Sequence, residues 1–237
     1  EERIPVEKTH LDQSGFIFGV LACGYDGKLY ISSTHHVYEV NTRLPNAFDR
    51  KHRIVKSELA GGVTHMLVDK KKNLWISTHM DGIYKITPDG KEEHYYDEGD
   101  ELHQIPAGGV LGLDLSGDSV LASISTLGVY ILREGMLPDV TLSAKALASK
   151  GWQKSKVREL KISEHWIVFG TKKKGVQYLE KKTSKLYQLT EEEGLLSNII
   201  TGIEIDKHEK VWIANAVGLQ RFDPVTRQLT SLTAMRT

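Results

Sequence analysis

Cysteine is almost missing from this chain. One thiol, Cys23, among 237 residues excludes an intramolecular disulfide and any metal site assembled from several thiolates. An excess of either charge is missing too. Lys and Arg number 31, Asp and Glu 31, so the net charge is zero, and a nucleic-acid partner held by bulk electrostatics is excluded. No apolar run approaches the roughly 20 residues that cross a bilayer. The longest, Phe16 to Cys23, is interrupted by Gly19. His-Glu-x-x-His, Gly-x-Ser-x-Gly, Walker and EF-hand spacings are all absent. The chain itself is therefore expected to be non-catalytic, with no cofactor and no metal. At 40% hydrophobic and 26% charged residues it can still bury a sizeable core. It opens on Glu1 rather than Met, as expected of a processed or excised piece.

What is present is a repeat. Gly27-Lys-Leu-Tyr-Ile-Ser-Ser, Asn73-Leu-Trp-Ile-Ser-Thr, Ser119-Val-Leu-Ala-Ser-Ile, Trp166-Ile-Val-Phe-Gly-Thr and Lys210-Val-Trp-Ile-Ala-Asn read alike. Each is followed by a second short apolar strand that starts at Val37, Gly82, Gly128, Gly175 or Gly218. The equivalent positions Tyr30, Trp75, Leu121, Val168 and Trp212 are 45, 46, 47 and 44 residues apart. So even a period marks stacked supersecondary units.

Each unit parses into four strands. In the second unit Val63, His65 and Leu67 alternate with Thr64, Met66 and Val68 along an innermost strand. A Lys70–Asn73 turn leads to Leu74–Thr78, Gly82 opens the third strand, and Thr87-Pro-Asp-Gly-Lys turns into a polar outer strand, Glu92–Tyr96. Short strands without a helical period predict an all-β protein. Four strands per unit predict a β-propeller of four-stranded antiparallel blades. The whole chain, 1–237, reads as one domain with units at about 14–57, 58–104, 105–150, 151–193 and 194–237. Five units either close a ring or form part of a larger propeller. The closed body is preferred here, because an open arc would expose two apolar blade faces. Trp75 and Trp212 are expected as filler between blades, and the recurrent glycines as positions of positive φ or close approach. The irregular stretch Glu134–Ser155 is expected to hold an outer strand and a short helical turn around Ala144–Lys150.

A family resemblance is carried by Glu193–Pro224. Gly194, Leu195, Ser197, Asn198, Ile203, Asp206, Trp212, Ile213, Gly218, Leu219, Arg221, Asp223 and Pro224 match the two-component regulator propeller repeat. Leu196 replaces its usual Pro, Glu209 its turn Gly, and Ala214-Asn215 its Gly-Thr. Gly62–Pro88 matches nearly as well, through Asp69, Asn73, Leu74, Trp75, Ile76, Thr78, Gly82, Ile83 and Tyr84, and the other units match weakly. The resemblance implies the periplasmic sensor region of a membrane histidine kinase of the hybrid two-component type. It also implies glycan fragments as ligands and the rest of the kinase as partner; a homodimer is compatible with it.

Candidate binding residues follow from the loops. His35, His36 and His79 fall between second and third strands of neighbouring units, hence on one rim. Trp152, just before the fourth innermost strand, Lys172, Asn198 and Asn215 belong to that rim too. Imidazole, amide and ammonium groups hydrogen-bond hydroxyls, and an indole stacks on a pyranose. On innermost strands only His65 and Glu204 suggest themselves as ligands of a central metal, and His65 is expected to be a satisfied packing residue. A propeller hydrolase or lyase of the lactonase or streptogramin-lyase type is the competing reading, and a structural spacer a third. Fold alone does not separate them.

Overall fold

The computed structural model describes residues 19–24, 27–33, 35–47, 52–55, 59–101, 103–105, 109–116, 119–124, 128–133, 136, 138–143 and 157–232. They form five four-stranded antiparallel sheets, each ordered as its strands follow in sequence. Blade 1 holds β1 (Leu21–Cys23), β2 (Lys28–Ser32), β3 (Val37–Asn41) and β4 (His52–Arg53). Blade 2 holds β5 (Val63–Val68), β6 (Leu74–Thr78), β7 (Ile83–Ile86) and β8 (Glu92–Tyr95). Blade 3 holds β9 (Val110–Ser116), β10 (Ser119–Ile124), β11 (Gly128–Leu132) and β12 (Asp139–Ser143). Blade 4 holds β13 (Val157–Ile162), β14 (Trp166–Thr171), β15 (Val176–Glu180) and β16 (Lys185–Leu189). Blade 5 holds β17 (Ile200–Ile205), β18 (Val211–Asn215), β19 (Leu219–Phe222) and β20 (Leu229–Leu232). The fold is an all-β propeller arrangement. The helical turn expected at Ala144–Lys150 lies outside the described residues.

The first strands sit side by side, β1 on β5, β5 on β9, β9 on β13 and β13 on β17, so they line the inside of the array. Among the described residues four apolar clusters seal blades 1–2, 2–3, 3–4 and 4–5. Blades 2 to 4 are apolar on both faces because each face meets a neighbour. Trp75 fills the joint between blades 2 and 3 at 3% exposure, and Tyr30 and Val168 do the same at their own joints. Trp212 is only partly buried, and among the described residues no apolar cluster lies beyond it.

Strict alternation along the innermost strands does not hold. Blades 2 to 5 carry a register shift at the matching place: Val63 to His65, Val110 to Gly112, Val157 to Glu159 and Ile200 to Gly202. One extra residue there reverses the parity of the strand. Val63 therefore joins Met66 and Val68 against blade 1, not His65 and Leu67. The sequence trace is an aliphatic set at i, i+3 and i+5: Val63, Met66, Val68; Val110, Leu113, Leu115; Val157, Leu160, Ile162; Ile200, Ile203, Ile205.

Two of the recurrent glycines behave as expected. Gly82 (φ 66°) and Gly175 (φ 68°) are left-handed, and a Cβ on either would lie 2.0 Å from the Tyr95 carbonyl oxygen or 2.2 Å from that of Leu189. Gly218 is different. It has no left-handed φ, and its nearest neighbour to such a Cβ is Leu196 Cδ1 at 3.4 Å.

Candidate binding site on the blade axis

The rim and the axis are built by the same strand ends. Loops between second and third strands meet the loops that enter their own blade or the next. Leu59 donates to the His35 carbonyl at 3.2 Å, His79 to that of Gly62 at 3.0 Å, Gly175 to that of Asn198 at 3.0 Å, and Ala216 to that of Ile199 at 3.2 Å. His35 is exposed and its Nδ1 sits 2.9 Å from the Leu59 carbonyl oxygen. The His36 carbonyl closes its loop by accepting from Ser33, while its ring lies 6.3 Å from Tyr38. His79 and Lys172 are exposed on the rim.

Asn198 and Asn215 are engaged within the fold. Asn198 Oδ1 accepts from Glu191 N at 3.0 Å and Asn198 N donates to Glu191 Oε1 at 2.8 Å, which fastens the 3-10 turn Glu191–Glu193. Asn215 Oδ1 accepts from Val217 N and Gly218 N, and its amide donates to Gln220 Oε1. Trp152 lies outside the described residues.

Beneath the rim, the bulges aim side chains at the axis. The residue directly after each bulge is His65, Gly112, Glu159 or Gly202. His65 Nε2 lies 3.5 Å from Glu159 Oε2, although these belong to blades 2 and 4, which are not neighbours. Between their strands stands β9, whose buried Gly112 lets β13 approach it closely. A Cβ there would fall 2.9 Å from Leu160 Cβ. Two residues further along the strands stand Leu67, Asp114, Lys161 and Glu204. Lys161 Nζ binds Glu204 Oε2 at 2.9 Å, and Asp114 Oδ2 accepts from Ile162 N at 2.6 Å. Four blades thus supply two polar layers, with His65 and Glu159 in the layer nearer the rim.

Charge in the lower layer is coupled. Burial pushes the Asp114 carboxyl up, against the pull of the Lys161 ammonium and two backbone N–H donors. Burial would lower Lys161, yet the bond to Glu204 and the charges of Asp114, Glu204 and Glu159 outweigh it and hold the ammonium above its ordinary value. Three carboxylates face one ammonium and one imidazole. The described residues contain no group of three or more His, Cys, Asp or Glu able to hold a metal.

His65 is therefore not a satisfied packing residue. Its Nδ1 is buried without a partner and its Nε2 faces the axis. Asp114, Glu159 and Lys161 escaped the sequence reading, which named only His65 and Glu204 on these strands. The signal was present: each is the polar neighbour of the central aliphatic, Leu113 or Leu160.

No family model matches the chain, and no curated protein matches it by sequence. Solved structures do match. The extracellular domain of a hybrid two-component system from B. thetaiotaomicron superposes over 90% of this chain with a TM-score of 0.71 at 14% identity. A second such domain from that organism gives 0.70 at 12% identity over 91% of the chain. A streptogramin B lyase gives 0.66 at 12% identity over 90%. The chain spans 30% of the length of each two-component domain and 67% of that of the lyase. At such identities the likeness shows the fold alone, a β-propeller.

Proposed function

We propose that this chain is the ligand-binding propeller of an extracytoplasmic sensor, the periplasmic part of a membrane-anchored two-component signalling protein. Its ligand is a small polyhydroxylated molecule such as a glycan fragment. The observation that carries this reading is the convergence of His65, Asp114, Glu159, Lys161 and Glu204 from four blades onto one axis below an open rim. Fixed carboxylate acceptors and an ammonium donor suit hydroxyl groups, and no step of bond-making is asked of them. His35, His36, His79 and Lys172 stand above this site and would meet the part of a ligand that projects from the mouth. The fold likeness to extracellular two-component domains supports the setting.

The test is calorimetry and thermal shift of the 237-residue chain against neutral and acidic oligosaccharides, repeated with Glu159→Gln. Saturable binding that weakens about tenfold or more on loss of that charged acceptor supports the reading. Binding that ignores the substitution overturns the assigned site, and silence across the panel overturns the ligand class.

A second reading is a propeller lyase or hydrolase. The likeness to streptogramin B lyase favours it, as does His65, whose Nε2 lies beside Glu159 while its Nδ1 is unpartnered. Turnover of a streptogramin B or a lactone by the chain with added divalent metal, followed by mass spectrometry, decides for it.

A further inference from the structure

The layer of the axis nearer the rim holds a carboxylate whose bonding capacity is almost unused. The Glu159 side chain is 24% exposed and accepts no hydrogen bond among the described residues. Its nearest polar partner, His65 Nε2, lies at 3.5 Å, beyond the usual N–H···O range. A carboxylate has about four lone-pair sites to fill. His65 is also a poor counter-charge for it. A second proton on the imidazole would go to Nδ1, which is buried without an acceptor, and a buried N–H left unmatched is costly.

Room and charge point the same way. Gly202 stands in the same layer, on the strand beside β13. A Cβ there would meet Ala214 Cβ at 3.7 Å, an ordinary contact, so packing does not demand glycine as it does at Gly112. The layer is therefore unfilled on the blade 5 side. Beneath it, Lys161 answers to three carboxylates. Burial works against its charge, yet Glu204, Asp114 and Glu159 together hold the ammonium above its ordinary value, which is the mark of surplus negative charge. Arg158, which the bulge inserts ahead of Glu159, is exposed and forms no ion pair among the described residues.

We propose that the axial site takes a cationic ligand, one whose protonated amino group docks on Glu159, in preference to a neutral or acidic one. This rests on the sensor reading, because it takes the same site, and on that reading the ligand is an amino sugar. An ammonium brings up to three N–H donors together with the balancing positive charge, and charge-assisted bonds to a carboxylate are the stronger kind. A hydroxyl brings one donor and no charge. An acidic sugar would meet Asp114, Glu159 and Glu204 as like charges.

The test is calorimetry on the 237-residue chain at about pH 6, where an amine is protonated. The probes are β-1,4-linked glucosamine oligomers, their N-acetylated forms, glucuronate-containing oligomers of equal length, and spermidine as an amine without a sugar. Glucosamine oligomers should bind about tenfold tighter than the N-acetylated forms or better, and the acidic oligomers weakest. Molar salt should shrink that preference. Glu159→Gln keeps the shape and removes the charge, and should bring the amine-to-neutral ratio to within about threefold of one. An equal or reversed ranking in the parent chain overturns the cationic class and leaves the sensor reading in place. A preference that survives Glu159→Gln overturns the assigned carboxylate. Binding of spermidine that depends on Glu159, with no sugar bound, upholds the cationic class and overturns the sugar. Silence from all four probes overturns both.

Discussion

Blades 2 and 5 use one local device in two settings. In blade 2, Asp69 accepts from Asn73 N at 2.9 Å and from the Trp75 indole at 2.8 Å; in blade 5, Asp206 accepts from Lys210 N at 3.0 Å and from the Trp212 indole at 2.9 Å. Both turns close through a left-handed non-glycine residue, Lys72 (φ 66°) and Glu209 (φ 59°). Beyond the turn the blades part. Trp75 is buried, with Lys85 at 5.7 Å from its ring, and that ammonium is sealed against Glu93 at 3.0 Å. Trp212 has exposed Arg221 at the corresponding rung, and among the described residues no blade covers it. The aspartate–indole turn therefore forms with or without a covering neighbour. It is set by local hydrogen bonding, and burial is an independent layer of stability added by the next blade.

The largest expected effect tests that separation directly. Trp75→Ala should cost about 3–5 kcal/mol, the range for emptying a fully packed aromatic site. Trp212→Ala removes the same indole–aspartate bond but little packing, and should cost about 1–2 kcal/mol in the 237-residue chain. Urea unfolding at matched slope reads both values. Equal losses would break the comparison, because they would mean that Trp212 is covered in solution.

How much of this could be read from sequence follows from the same pair of blades. The repeat, the four-strand units and the inter-blade tryptophan at position 75 were legible because aromatic register and turn residues recur at a fixed period. Glu209 could be seen to stand where the repeat prefers glycine, and its φ agrees. The axial site was hidden by the bulges. A reader who applies a period of two through Thr64 puts Val63 beside His65, and the extra residue moves it to the other face. Once parity is lost, Glu159 and Asp114 look like surface charges rather than groups aimed at an axis. The pairing of His65 with Glu159 joins blades that are not sequential neighbours, so no local pattern announces it. The rim amides were misleading in the opposite sense. Asn198 matches the repeat and Asn215 stands where it usually has Thr, but their side chains tie turns together.

A second test asks whether equivalent glycines are equivalent. Gly82→Ala meets a backbone oxygen and a left-handed φ together, for an expected loss of about 2–4 kcal/mol from conformational strain and overpacking. Gly218→Ala meets neither, and should stay within about 0.5 kcal/mol of the parent. Thermal melts of the two variants check this. A large loss at Gly218 would show that blade 5 bends its loop as tightly as blade 2 does.

The smallest effect concerns acid. In blade 5 the bond from Lys210 Nζ, 2.7 Å away, leads the causes that hold the Asp223 carboxyl down at about 2, helped by Thr226 and by the Val225 and Thr226 backbone N–H groups. The Trp212 indole holds Asp206 below its ordinary value in the same way. A carboxyl whose folded value is depressed adds stability that is fully present above its unfolded value, near 4, and is lost as pH falls through the folded one. The window for Asp223 is therefore about pH 4 down to about pH 2. Because the pair is partly exposed, its contribution is at most about 1 kcal/mol. Asp223→Asn should leave stability at pH 7 lower by about that amount and flatten its fall between pH 4 and 2. The readout is urea unfolding at several pH values, with a buried-site control in Trp75→Ala, which should shift the whole curve without changing that slope. An Asp223→Asn curve parallel to the parent would mean that the acid response is generated elsewhere, and blade 5 would lose the electrostatic distinction that its open turn gives it.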